Sequence, residues 1–129
     1  MLGDLILETL EKATGTRVLD QEGTIELSVQ GTGKLLGTDC YVNAKRWATP
    51  SEDGALYGEG CALIRTRGGD FVKLNSTYIV TVKGPAMSVR GIVFFNTKSS
   101  AFKRLNAVVG VFEGEQNQTE GTGSTKAWE

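Results

Sequence analysis

From Gly15 onward the sequence alternates between apolar and polar residues, and this period of two is the feature that most limits the possible folds. Alternation of this kind, with β-branched and aromatic residues between turn signals, is typical of half-buried β-strands. Because short turns separate the segments, we expect an all-β, antiparallel, mostly up-and-down arrangement. An eight-stranded barrel of this type has room for side chains or for one small ligand. The predicted strands cover residues 16–20, 24–36, 39–49, 56–67, 70–83, 87–97, 107–115 and 124–128.

The first fourteen residues do not follow this alternation. Apolar residues recur there at helical spacing, acidic residues lie on the other side, and Gly15 stands where a helix would end. We therefore expect a short amphipathic N-terminal helix over residues 1–14 that covers one end of the barrel, with a subunit contact or a mobile lid as alternatives. The apolar positions are Leu2, Leu5, Ile6 and Leu10.

Two of the connections between strands differ from short turns. Residues 97–106 leave room for a longer connection with a helical turn. Residues 116–123 are polar and contain glycine, which predicts a mobile hairpin loop.

Size and charge limit the classes of function. A chain of 129 residues is expected to form a single domain, here residues 1–129. Its 14 basic and 15 acidic side chains nearly cancel, so neither nucleic acid nor a membrane is an expected partner. Histidine is absent, which excludes histidine-dependent catalysis and removes the commonest zinc ligand. We predict no metal and no cofactor.

The two cysteines, Cys40 and Cys61, are too few for the disulfide framework of a secreted protein. The N-terminal segment carries no basic leader, and acidic residues interrupt its apolar run, so a signal peptide is not expected. Both features favour a cytoplasmic protein with two free thiols.

The Gly68-Gly69 pair predicts how the strands on either side of it align. Two glycines suit a two-residue turn whose central positions both need positive φ, and such a turn pairs Arg67 with Asp70. This register places Glu59 opposite Tyr78, on a face that also carries Tyr57 and Cys61. Because that face is the more apolar one, we assign it to the barrel interior.

The preceding hairpin leaves two registers open. A four-residue loop pairs Pro50 with Ala55 and brings Arg46 opposite Glu59, which keeps the inward face mostly apolar. A change of one residue in that loop would place Lys45 opposite Glu59 and turn three polar residues inward. We prefer the first register. In the first register the two cysteines lie too far apart to bridge, and in the second they point to opposite faces of the sheet.

The candidate site is therefore a set of interior side chains around Glu59. A buried carboxylate costs several kcal/mol unless it is paired or protonated, so its place inside a barrel needs a reason. One reason is a structural ion pair with Arg46 that fills the core. The other is a polar anchor or general acid/base in a ligand cavity. The candidate lumen residues are Glu59, Arg46, Tyr78, Tyr57 and Cys61.

Several short segments resemble a family of small prokaryotic proteins with a barrel like that of allene oxide cyclase and the wider calycin group. They are GKLLG at 33–37, DGALYGEG at 53–60, RG at 90–91, RLN at 104–106, GVFE at 110–113 and WE at 128–129. The resemblance implies the barrel, and it carries no site residues over to this chain. Allene oxide cyclases steer the cyclisation of an unstable fatty-acid epoxide inside their barrel.

Three functions follow as expectations. The first is a non-catalytic barrel that binds a small apolar or amphipathic molecule in its lumen. The second is a cofactor-independent isomerase or cyclase on a hydrophobic substrate, with Glu59 and Tyr78 handling protons or anchoring the substrate. The third is a structural subunit of a homo-oligomer with a filled barrel. The first two functions require an interior cavity of a few hundred Å³, whereas the third predicts a barrel without one.

Overall fold

The computed structural model describes residues 3–129, which form a closed antiparallel barrel of eight strands in chain order. Each strand pairs with the next one along the chain, and the last pairs with the first. The predicted all-β, eight-stranded, up-and-down barrel is therefore confirmed. The strands are β1 (Leu5–Val18), β2 (Ile25–Leu35), β3 (Thr38–Pro50), β4 (Leu56–Thr66), β5 (Phe71–Lys83), β6 (Ala86–Asn96), β7 (Val109–Asn117) and β8 (Thr122–Trp128).

The predicted N-terminal helix is wrong: the chain is already in strand β1 from Leu5, and residues 1 and 2 lie outside the described part. Strand β1 pairs with β2 along one edge and with β8 along the other. Without it, β2 and β8 would each present unpaired backbone groups, which is costly for a sheet. Closure of the barrel thus overrides the helical spacing of the apolar residues, since helical propensity is a weak local preference.

A 3₁₀ helix, Ser100–Ala107, occupies the longer connection that we predicted between β6 and β7. Its side chains Phe102 and Leu105 are 4% and 0% exposed and join the barrel core. We call the end of the barrel at this helix the closed end. Among residues 3–129, no helix is both long and apolar enough to span a membrane.

The opposite end, which we call the open end, is formed by the connections at 19–24, 51–55, 84–85 and 118–121. The last of these is shorter than the loop that we predicted over 116–123. Strand β7 continues to Asn117 and β8 begins at Thr122, so four of those residues belong to strands.

The register around Gly68-Gly69 differs from the prediction by one residue. Only Gly69 of the pair has a positive φ (+87°), and the Gly69 amide donates to the Thr66 carbonyl. The turn therefore needs one more residue than a two-residue loop, and Arg65 pairs with Phe71. Because side chains alternate between faces, this shift turns every β4 side chain to the face opposite to the predicted one.

The preceding hairpin is also one residue longer than predicted, since Pro50 pairs with Leu56 instead of Ala55. Arg46 consequently lies opposite Gly60, and Glu59 lies opposite Trp47. Neither of the two registers that we considered is the observed one. The preferred register was nevertheless right about which face of β3 points inward, because Val42 is buried and Tyr41 is exposed.

Candidate functional site

The barrel interior contains a cavity of about 470 Å³ toward its open end. Strands that alternate apolar and polar residues line it with aliphatic side chains. This volume lies within the usual range of small-molecule pockets. The aliphatic lining residues are Ala13, Ile25, Leu27, Val29, Ala48, Leu56, Val80, Val82, Met87 and Val89, and polar lining residues are Thr16, Gln116, Asn117, Gln118 and Thr122.

A buried ion pair forms the floor of this cavity. Arg46 Nη2 lies 2.5 Å from Glu11 Oε2, and the two side chains are 23% and 3% exposed. The pair joins β3 to β1 and reaches across β2, which lies between them. It does so where β2 carries Gly31 opposite Glu11; a Cβ atom on Gly31 would stand only 3.1 Å from Glu11 Cγ. The two charged side chains thus meet over Gly31, which leaves space for them because glycine has no side chain.

Three donors satisfy the Glu11 carboxylate. Thr9 Oγ1 donates to Oε1 over 3.1 Å, Thr125 Oγ1 donates to the same oxygen, and Arg46 donates to Oε2. These donors come from β1, β8 and β3. The carboxylate therefore links β1 to β8, the two strands whose pairing closes the barrel, and also to β3. Burying a carboxylate is costly unless it is paired and hydrogen-bonded, and here it is both.

Beneath the ion pair the barrel narrows sharply. The space on the closed side of the floor measures about 50 Å³ and is bounded by apolar residues that include Leu7, Val42, Val93 and Phe112. The 3₁₀ helix seals that end with Leu105. A ligand of ordinary size is therefore confined to the cavity above the pair.

Tyr78 lies inside the barrel, as predicted, but its hydroxyl is engaged by the backbone. It donates to the carbonyls of Glu59, over 2.9 Å, and of Trp47, over 3.2 Å. Burial disfavours the phenolate and raises the pKa of Tyr78 to about 12. The ring lies over Gly58, where a Cβ atom would approach its Cε1 to 2.4 Å. The hydroxyl is thus a structural donor that holds the inner surface of β3 and β4.

The structure places three of the predicted lumen residues outside. Tyr57 is 51% exposed, and Glu59 and Cys61 are exposed as well, because all three lie on the outward face of β4. The residues between them on β4, Gly58 and Gly60, point into the lumen instead and are buried. The predicted ion pair with Arg46 exists, but the carboxylate belongs to Glu11 and not to Glu59.

Glu11 escaped prediction because it lies in the segment that we interpreted as a helix. The contrary signal is a pair of threonines, Thr9 and Thr14, whose β-branched side chains favour a strand. Read with a period of two, the segment turns Leu7, Thr9 and Glu11 to one face, and all three are buried.

Both cysteines are free, as predicted. Cys40 is buried in the core, and this burial raises the pKa of its thiol. Cys61 is exposed on the outer wall. Within residues 3–129 no three side chains of the types Cys, Asp and Glu are grouped so that they could hold a metal ion.

No family model and no curated protein sequence matches the chain. Solved structures, however, share its architecture. A protein of unknown function from Clostridium acetobutylicum ATCC 824 has a TM-score of 0.84 at 14% identity, with 97% of this chain and 95% of that chain covered. The likeness shows the barrel fold.

Two further structures extend this likeness. A β-barrel-like protein from Acinetobacter baumannii AYE has a TM-score of 0.76 at 13% identity, covering 97% of this chain and 94% of the other. An enzyme from Penicillium herquei has a TM-score of 0.61 at 19% identity, covering 100% and 96%. At such identities the fold is shared, and activity does not follow from it.

Proposed function

We propose that the protein binds a small, mainly apolar molecule in the open half of its barrel. The observation that carries this proposal is the mainly apolar cavity of about 470 Å³ whose floor is the Glu11–Arg46 ion pair. The cavity therefore has mostly apolar walls, with this ion pair at its floor and polar side chains such as Gln116 and Thr122 elsewhere in its lining. That combination is typical of pockets that bind small molecules.

The size of the cavity supports ligand binding over the filled barrel of a purely structural subunit. Each 100 Å² of apolar ligand surface removed from water gains roughly 2.5 kcal/mol. The cost of immobilising the ligand offsets part of this gain, so we expect dissociation constants on the order of micromolar for small apolar probes.

The test is a fluorescence titration with N-phenyl-naphthylamine, a neutral apolar probe that brightens when it leaves water. We expect saturable binding to the wild-type protein. Val80→Trp places a large side chain in the cavity, since Val80 is 2% exposed and lines it, and should weaken binding by about tenfold or more.

The matched control is Ile79→Trp, which adds the same bulk at the next residue, on the outer wall, where Ile79 is 46% exposed. Its affinity should stay within about twofold of wild type. Absence of saturable binding to the wild type, or equal losses in the two variants, would contradict the proposal.

A second candidate is a cofactor-independent isomerase or cyclase, in keeping with the resemblance to barrels of the allene oxide cyclase type. One observation favours it: a carboxylate, Glu11, borders the cavity. Glu59 and Tyr78 do not support it as proton-handling groups, because Glu59 lies outside the barrel and the Tyr78 hydroxyl donates to backbone carbonyls. Turnover that Glu11→Gln abolishes while probe binding persists would identify an enzyme.

We also retain the cytoplasmic location as a proposal. An exposed free thiol such as that of Cys61 is readily oxidised outside the cell and is kept reduced in the cytosol. Epitope-tagged protein recovered with the membrane-free lysate supports this location, and recovery from the medium contradicts it.

A further inference from the structure

The guanidinium of Arg46 has hydrogen-bonding capacity that the protein does not use. An arginine side chain offers five N–H donors. Among residues 3–129, its one hydrogen bond runs from Nη2 to Glu11. The side chain keeps 23% of its surface accessible, and it lies at the floor of the 470 Å³ cavity. Arg46 lines this cavity, whose walls are mostly apolar, so a ligand bound there would displace the water that solvates the remaining donors.

Apart from the Gln116 amide, which lines the cavity beside the ion pair, the acceptors at the floor are already engaged. Both oxygens of Glu11 already accept hydrogen bonds, from Thr9, Thr125 and Arg46, and this side chain is only 3% exposed. The carbonyls of Trp47 and Glu59 accept from Tyr78. A ligand that reaches the floor thus meets spare donors, and a ligand without an acceptor atom would leave them unpaired at a cost.

The charge at the floor is already balanced. Glu11 neutralises Arg46 at contact distance, so a ligand carboxylate would bring a second negative charge to one guanidinium in a poorly solvated space. A neutral carbonyl oxygen satisfies the spare donors without this repulsion.

We propose that Arg46 selects ligands that are neutral and apolar and that carry a carbonyl oxygen, such as ketones, esters or lactones. This inference rests on the proposed function, because it requires that the cavity admit a ligand. Arg46 then acts as the specificity-determining residue, and Glu11 sets the charge that it prefers.

The experiment compares three fluorescent probes with one ring system at neutral pH: dimethylaminonaphthalene, its propionyl ketone and its carboxylate. For the wild type we expect the ketone to bind about tenfold more tightly than either of the others. Equal affinity for the ketone and the parent compound, or tighter binding of the carboxylate, would overturn the inference.

Glu11→Gln leaves Arg46 as an uncompensated positive charge at the floor and should reverse the preference. With the internal carboxylate gone, the cationic Arg46 should favour the carboxylate probe over the ketone. The matched control is Glu113→Gln, which makes the same change in the outer-wall pair Arg90–Glu113 and should leave the wild-type preference unaltered. An unchanged preference in folded Glu11→Gln protein counts against the inference.

The double variant Glu11→Leu/Arg46→Met removes the pair without leaving a buried charge, a replacement that proteins often tolerate. It should bind the parent probe as the wild type does but lose the ketone preference. The emission of the bound ketone should also move to shorter wavelength, because its carbonyl no longer accepts a hydrogen bond.

The two proposals fail in different ways. If no probe binds, N-phenyl-naphthylamine included, the ligand-binding function itself is wrong. If that apolar probe binds but the three-probe series shows no ketone preference, the cavity is a ligand site and only the role of Arg46 is wrong. Should Glu11→Gln not fold, the wild-type comparison alone still decides.

Discussion

Tyr78 shows how a single residue can lie where the sequence predicts and still have a different role. Alternation along β5 correctly places it in the lumen, where it is 5% exposed. The sequence makes its hydroxyl a candidate for proton handling, but the structure shows that it donates to two backbone carbonyls. Whether an interior tyrosine serves the ligand or the fold depends on which acceptors lie within reach, and those belong to other strands.

The raised pKa of Tyr78 predicts how stability depends on pH. The folded-state pKa of about 12 exceeds the ordinary value of 10.0, so the folded protein holds the proton more tightly than the unfolded chain. The contribution is complete below pH 10 and is lost as the pH rises toward 12, by roughly 2 to 3 kcal/mol in total.

This dependence is measured by urea unfolding, followed by circular dichroism, at several pH values between about 9 and 12. Relative to Tyr78→Phe, the wild type should lose that increment of unfolding free energy across the range. Tyr41→Phe serves as the control, because Tyr41 is 46% exposed on the outer wall. If the unfolding free energies of the wild type and Tyr78→Phe change with pH in parallel, the raised pKa of Tyr78 is wrong.

Arg46 and Glu11 illustrate what could be predicted at this scale and what could not. An arginine inside the barrel follows from the apolar neighbours of Arg46 on β3, and a buried arginine requires a carboxylate. Which carboxylate pairs with the arginine depends on the arrangement of the strands. Glu59 is 13 residues from Arg46 along the chain, whereas Glu11 is 35 residues away and meets it only after closure.

Among the elements, the position of the 3₁₀ helix could be predicted from the sequence, whereas the strand conformation of β1 could not. The 3₁₀ helix lies where the alternation of apolar and polar residues is interrupted, and this interruption can be recognised in the local sequence. Strand β1 contains apolar residues at helical spacing, and a local pattern cannot exclude a helix there. Pairing with β2 and β8 selects the strand. Each edge of β1 forms hydrogen bonds with backbone groups of a neighbouring strand, and a helix at this position would leave those groups unpaired.

The 3₁₀ helix yields a prediction about stability that is separate from binding. Leu105 is 0% exposed in the closed end, so Leu105→Ala should lower the free energy of unfolding by about 2 to 4 kcal/mol. The control Lys103→Ala, at an exposed position of the same helix, should change it by less than about 0.5 kcal/mol.

Urea unfolding measures both variants, and a titration with N-phenyl-naphthylamine accompanies it. Because the ligand cavity lies on the other side of the Glu11–Arg46 floor, folded Leu105→Ala should keep wild-type affinity. A marked loss of affinity would show that the closed end takes part in binding.

For the molecule as a whole, the outer wall carries a continuous apolar surface across β6, β7 and β8 to β1. Phe94 pairs with Val109, and Ile92 pairs with Val111, and each of the four is between 40% and 57% exposed. Trp128 continues the row from Val111 to the start of β1. We call these five residues the outer apolar face. Exposed apolar patches of this kind often mark interfaces.

The homo-oligomer remains a prediction, and this face is where we expect a second copy to dock. The adjoining ion pair of Arg90 and Glu113 carries both charges, so a twofold-related copy can present the opposite charge to each of them. Native mass spectrometry should show a dimer or higher oligomer, and it also reveals any small molecule retained during purification.

Phe94→Lys places a charge in the outer apolar face and should yield monomers. Tyr57→Lys is the control, because Tyr57 is an outward aromatic residue, 51% exposed, that lies outside this face. A wild type that is monomeric at every concentration tested would refute the prediction.

The sequence by itself determined the all-β class, the eight strands, the place of the long connection and the inward direction of Arg46 and Tyr78. These properties depend on alternation and turn residues, which are local. Tertiary structure decided the state of residues 5–14, the registers on both sides of β4 and the identity of the buried carboxylate.

The physical reason is that glycine allows either of two turn lengths at Gly68-Gly69, while a change of one residue exchanges the two faces of a strand. Only the closed barrel selects among the alternatives. It buries Gly58 beneath Tyr78, turns Glu59 to solvent and brings Glu11 to Arg46 from the strand that completes the sheet.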